Sequence, residues 1–222
     1  MPPFFTIIIG RYRWLSNVSP IKLSVFAGIL VAGFLAANDR VDAQAWTVDA
    51  VMEGLRGLRH VEATFDETRH STFLMTPIKL NGTFVYEAPQ TFIKETFKPF
   101  PEIVTVDQNG VKIEQDKDMQ EGQSRIQFIA ADAHPLVRGL VDSAKATMSG
   151  KKELLEARYT LELNGSKENW SVKLVPREKA LRKKIESLLF VGSGDLINSV
   201  EIRESDGDWS VINLKYESIE RN

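Results

Sequence analysis

Val61-Glu62-Ala63-Thr64-Phe65-Asp66 is the stretch that decides the fold. Val61, Ala63 and Phe65 alternate with Glu62, Thr64 and Asp66, the two-residue period of a strand with one face on a core. The residues just before it keep a different rhythm. Val48, Val51, Met52, Leu55 and Leu58 recur at helical spacing, which predicts an amphipathic helix over 47–59 with Thr47 as its cap. Downstream the two-residue period persists. Leu80, Phe84 and Tyr86 share one face around Gly82, and strand-like runs follow at 91–98, 102–107, 110–115 and 124–129. Asn81-Gly82, the Pro99-Phe100-Pro101 corner and Asn109-Gly110 read as turns. Pro135 then opens a second helical patch, with Leu136, Leu140, Ala144 and Met148 four apart and Gly150 to end it. Strands return at 158–164, 169–175, roughly 184–191, 197–204 and 208–216, with turns at Asn164-Gly165 and Asp206-Gly207.

The count is about ten strands and two helical segments, with no linker or repeat between them. This predicts an α+β, mostly β chain. It forms a single large antiparallel sheet, curled or barrel-like, whose two helical segments must cover an apolar concave face. Alternation places Phe65, Leu80, Phe84, Tyr86, Phe92, Leu140, Leu161, Trp170 and Val172 on that face. A one-residue register slip would move a whole strand off it. A curled sheet with helices over its mouth either fills its interior with side chains or keeps an apolar cavity.

Composition removes several classes. The 222 residues are 43% hydrophobic and 26% charged with mean hydropathy −0.19, which excludes a disordered tail and a polytopic membrane protein. The formal charge of −2 offers no basic excess for nucleic acid. No cysteine is present, so disulfides, thiolate metal sites, a cysteine nucleophile and a lipid-modified N-terminal cysteine are excluded. His60, His70 and His134 lack metal-ligand spacing. Gly192-Ser193-Gly194-Asp195 lacks the spacing of a nucleophile elbow and reads as a turn. Asp116, Asp118 and Glu121 lack the spacing of a calcium loop. A hydrolase on a serine with Asp132 and His134 has only adjacency in its favour. The expectation is a non-enzyme with no cofactor and no metal.

At the N-terminus, Arg11, Arg13 and Lys22 precede an uncharged run from Leu23 to Ala37. As a helix this run reaches roughly 22 Å, short of a bilayer's ~30 Å hydrocarbon core. Ala43-Gln44-Ala45 fits a small-residue cleavage site, so residues 1–45 read as a secretory signal and 46–222 as the mature domain. The competing reading is an uncleaved anchor. Losing Arg11, Arg13, Lys22 and Arg40 against Asp39 and Asp42 takes the charge from −2 to −4. The one local asymmetry is Arg177, Lys179, Arg182, Lys183 and Lys184. It is either a solvated strand end or a dock for an anionic headgroup or acidic partner.

A set of short motifs then lines up in order. Phe65-Asp66-Glu67 follows the first helix. Gly82-Thr83-Phe84-Val85-Tyr86-Glu87-Ala88-Pro89 is a glycine-led strand running into a proline. Phe92, Pro99 and the Val106-Asp107-Gln108-Asn109-Gly110 hairpin come next. Trp170-Ser171-Val172-Lys173-Leu174-Val175-Pro176 and a late hairpin from Ile202 to Leu214 close the series. Over nearly all of 46–222 the chain resembles the periplasmic outer-membrane lipoprotein carrier family, the LolA-like proteins, and more closely a divergent branch of it. The resemblance implies an open curled sheet whose helices cover a cavity for acyl chains. It also implies an inner-membrane exporter, an outer-membrane acceptor, transient membrane contact and a monomer. Two departures bear on cargo. The family's arginine before the first proline is Ala88 here, and an aromatic two residues after Phe92 is Lys94. The expected function is a periplasmic carrier of a lipid or lipoprotein. The alternative is an interaction or sensor module of the same fold with a filled core, docked on an exporter through Arg177–Lys184.

Overall fold

The computed structural model describes residues 46–117, 123–131, 135–148 and 150–221. The segment read as a signal lies outside them, as do Asp118, Glu121, Asp132 and His134. The switch of rhythm happens at Gly57. Helix α1 (Val48–Arg56) is capped by the Thr47 hydroxyl, which accepts from the Ala50 amide at 3.2 Å, and it buries Val51, Met52 and Leu55. Leu58, expected as the last apolar position of the helix, is the first residue of β1 (Leu58–His70). Glycine's poor helix propensity ends the helix early.

Ten more strands follow: β2 (Ile78–Glu87), β3 (Thr91–Lys98), β4 (Glu102–Asp107), β5 (Gly110–Lys117), β6 (Gln123–Ala130), β7 (Tyr159–Ser166), β8 (Asn169–Pro176), β9 (Ile185–Ser193), β10 (Leu196–Glu204) and β11 (Trp209–Arg221). All pair antiparallel in one sheet, in the order β6-β5-β4-β3-β2-β1-β11-β10-β9-β8-β7. The two edge strands, β6 and β7, are neighbours in sequence. The segment that joins them carries α2 (Pro135–Met148) and α3 (Lys152–Glu156). Helices therefore cross the gap that a closed barrel would fill with strand pairing. A fourth helix, α4 (Lys179–Arg182), lies between β8 and β9. Among the described residues the helical segments number four where two were expected, because α3 and α4 are too short to show a helical period.

Two expected turns are not reversals. Asn81-Gly82 lies inside β2, where the register with β3 shifts. A Cβ on Gly82 would sit 1.8 Å from the Glu95 carbonyl oxygen and 2.9 Å from the Phe65 ring, so this glycine serves a close approach of neighbours. Asn164-Gly165 lies inside β7, two residues before the chain reverses.

Burial gathers in three clusters. The main one joins Val51, Met52 and Leu55 of α1 and Leu155 of α3 to Trp170, Val172, Leu174, Leu188, Phe190, Val200 and Ile202. A second, of Val111, Ala131 and Val141, ties α2 to β5. A third is Phe65, Leu80 and Ile212. Ala146 of α2 belongs to the main cluster and Val141 to the second, so this one helix bridges both halves of the sheet.

Candidate functional site

The strand register sorts the inner face of β2–β6 into rows. Nearest α1, Tyr86, Phe92, Val106, Val111 and Ile129 stand side by side across five strands. The next row is Phe84, Lys94, Val104, Ile113 and Gln127. The third is Gly82, Thr96, Glu102, Gln115 and Arg125. Apolar character thus fades, row by row, into polar character along one face. Of these side chains Phe84, Phe92, Val104, Val106, Ile113 and Ile129 are only half-buried. The Phe92 ring lies 5.1 Å from Tyr86 and 6.2 Å from Phe84, both tilted.

Eight of the nine residues expected on the concave face lie on this one face: Phe65, Leu80, Phe84, Tyr86, Phe92, Leu161, Trp170 and Val172. The side chain of the ninth, Leu140, lies outside the described residues. Exposure divides the eight. Trp170 and Val172 are each 1% exposed inside the main cluster, and the Trp170 indole donates to the Gly194 carbonyl at 2.8 Å. Phe65, Leu80 and Tyr86 are also buried. Phe84, Phe92 and Leu161 keep accessible surface.

A charged cluster sits within the apolar face. Glu67 is 1% exposed and accepts from Arg69 at 2.8 Å and Lys94 at 2.5 Å. The Lys94 ammonium also stands 4.6 Å above the Phe65 ring. Burial alone would push the Glu67 carboxyl upward, but the two cations outweigh it and hold the carboxyl below its ordinary value. Sequence reasoning passed over this cluster, although the signal was present. Extending Val61, Ala63, Phe65 by one step puts Glu67 on the apolar face, and Phe92-x-Lys94 does the same on β3. Nearby, Gln115 donates to Glu102 at 2.5 Å in the polar row.

The five basic residues at 177–184 divide in two. Arg177 turns to the β7 edge, where its Nε donates to the Tyr159 carbonyl at 3.0 Å. There it lines a cleft of about 750 Å³ with Asp142, Lys145, Leu154, Arg158 and Glu178. Lys179, Arg182, Lys183 and Lys184 instead lie in or just after α4. His60 pairs with Glu87 at 2.6 Å. That hydrogen bond raises its pKa, against the opposing effect of burial.

The family pattern of LolA-like outer membrane lipoprotein carrier proteins matches residues 40–215. The chain belongs to this LolA-like family. No curated protein matches it. Solved structures with a similar chain path include a LolA superfamily protein from Nitrosomonas europaea, at 8% identity and TM-score 0.38, covering 80% of this chain and 94% of that one. A putative outer membrane lipoprotein-sorting domain from Vibrio parahaemolyticus aligns at 8% identity and TM-score 0.30, over 77% and 91%. The MucA/MucB complex of Pseudomonas aeruginosa aligns at 11% identity and TM-score 0.41, over 79% of this chain but only 57% of that one. Among the described residues, no helix is long and apolar enough to cross a membrane. Within this LolA-like frame the two departures have structural positions. Ala88 is exposed at the end of β2, its amide donating to the Arg59 carbonyl at 2.8 Å. Lys94 turns inward and makes the bond to Glu67.

Proposed function

We propose that this LolA-like chain is a non-enzymatic periplasmic carrier. It holds the acyl chains of a lipid or lipoprotein on the inner face of β2–β6 and ferries them from an inner-membrane exporter to an outer-membrane acceptor. The observation that carries this reading is the half-exposed apolar surface of Phe84, Phe92, Val104, Val106, Ile113 and Ile129 on the face that α2 crosses. Burying a CH₂ contributes ~0.8 kcal/mol, so an acyl chain of about 15 methylenes gains ~12 kcal/mol before binding costs. The row gradient suits such a ligand. Its tail lies along Tyr86, Phe92 and Val106, and its polar head meets Thr96, Glu102 and Gln115. Because α2 spans two edges that do not pair, the face can open by moving a helix without breaking strand hydrogen bonds.

The test is native mass spectrometry of the chain purified from the periplasm without detergent. An adduct in the mass range of a fatty acid, phospholipid or lipopeptide is expected. Phe84→Asp should abolish it while the domain still folds, since Phe84 is half-exposed. A bare mass that stays bare after incubation with membrane vesicles would sink the carrier. The filled β7–β11 side, with Trp170 wholly buried, would then favour an interaction or sensor module docked on an exporter.

A further inference from the structure

Residues 71–77 join β1 to β2 and carry no charge. At their tip Phe73 is 77% exposed, Leu74 41% and Met75 103%. Three consecutive large apolar side chains in water are costly, and turn chemistry does not ask for them. The loop is nevertheless held firmly at its base. The Thr72 amide and hydroxyl donate to Asp208 at 2.7 and 3.0 Å, and the Leu74 amide donates to the Ser71 carbonyl at 3.0 Å. Asp208 belongs to the turn between β10 and β11. The same turn holds the basic segment: the Ser205 amide donates to the Lys184 carbonyl at 3.0 Å, and its hydroxyl to the Arg182 carbonyl at 2.6 Å. One short turn thus fixes the apolar tip and the cations beside each other. Lys179, Arg182 and Lys183 are exposed and Lys184 is half-buried. None of the four is ion-paired to a carboxylate among the described residues. The 13 residues of β1 separate this end of the sheet from α1.

We infer that this end is a docking surface for a bilayer carrying anionic phospholipid. Phe73, Leu74 and Met75 enter the headgroup–acyl boundary, and the four cations of the α4 segment meet the phosphates. The three apex side chains of this uncharged tip carry no hydrogen-bonding group to set a protein register, yet they suit shallow insertion. Clustered lysine and arginine, on a chain that is acidic overall, match an anionic surface. Either signal alone binds weakly and the two together bind usefully. The inference deepens the carrier reading, because cargo taken up or delivered at a membrane must be exchanged where the carrier touches it. The polar row of the inner face, at Thr96, Glu102 and Gln115, lies toward this same end of the strands.

The exported chain is tested for co-sedimentation with phosphatidylcholine vesicles, with and without phosphatidylglycerol, at low and high salt. Binding to the phosphatidylglycerol vesicles is expected, weakened by salt. Phe73→Ser with Met75→Ser, and separately Arg182→Glu with Lys183→Glu, should each lower partitioning roughly tenfold or more. The charge pair should also remove the salt dependence. Phe73→Trp should shift its emission to the blue on these vesicles and not in buffer. Wild-type chain that ignores both vesicles, or double variants that bind as wild type does, would overturn the docking surface. So would retention only through a membrane protein in the absence of lipid binding. Both double variants should keep the wild-type melting temperature. A wild-type chain that docks but carries no adduct would sink the carrier and leave the docking surface standing.

Discussion

The two wings of the sheet share β1 as a spine and follow the same alternation, yet they end in opposite states. In β7–β11 large side chains face small ones. Trp170 lies opposite Gly192, where an added Cβ would come 2.2 Å from the indole. Helices α1 and α3 supply Val51, Met52, Leu55 and Leu155 to close that core. In β2–β6 the middle of the face is Val104, Val106, Ile113 and Ile129, β-branched residues that stand short above the sheet. Apolar patterning alone does not decide whether a curled sheet is filled; the summed volume of facing side chains against the cover above them does.

The comparison breaks most readily at Trp170. Trp170→Ala removes the largest wholly buried side chain and should cost about 3–5 kcal/mol in chemical denaturation. Phe92→Ala, from the half-exposed wing, should cost only about 1–2 kcal/mol. Equal losses would mean that the wings are equally packed. Between these lies Glu67→Ala, which strands Lys94 in a mostly apolar setting and should cost about 3 kcal/mol. Lys94→Met should be milder, because Arg69 still satisfies Glu67.

Most of the strand plan was legible because a two-residue period survives in each strand. The inner-face positions were legible for the same reason: the eight described residues share one face, with Phe65 and Leu80 packed in a cluster apart from Trp170 and Val172. What the period does not carry is what stands above the face. Whether Phe84 is open and Trp170 sealed depends on partners far away in sequence. Nor did glycine declare its role: Gly82 and Gly165 looked like turn residues, while the first relieves a cross-strand collision and the second sits within a strand at φ 97. The Glu67–Lys94 pair was readable from alternation on each strand, but only the β1–β2 and β2–β3 registers together bring the two charges close.

Smaller effects sharpen the contrast. Phe92→Ala should weaken lipid loading far more than it weakens folding, whereas Val200→Ala should do the reverse; comparing adduct intensity with melting temperature separates them. The Glu67 carboxyl titrates below its ordinary 4.5 in the folded state, so its stabilising share is complete above that value. The share is lost as pH falls through the lower folded value. Unfolding free energy measured from pH 6 downward should therefore steepen below about 4.5, and Glu67→Gln should flatten that slope. An unchanged slope would mean that other carboxylates carry the acid sensitivity.

The smallest effect tests the filled wing from inside. Ser210 is 1% exposed on the inner face of β11, and its hydroxyl has no hydrogen-bond partner among the described residues. A buried, unsatisfied hydroxyl costs about 1–3 kcal/mol relative to a satisfied one, and removing it leaves nothing polar to desolvate. Ser210→Ala should therefore be neutral or raise stability by up to ~1 kcal/mol, against the usual direction for a buried substitution. A clear loss would mean that the hydroxyl has a partner in solution, most simply water reaching past Arg69 into the interior. The β7–β11 wing would then be wet at this end, and its contrast with β2–β6 would be one of degree.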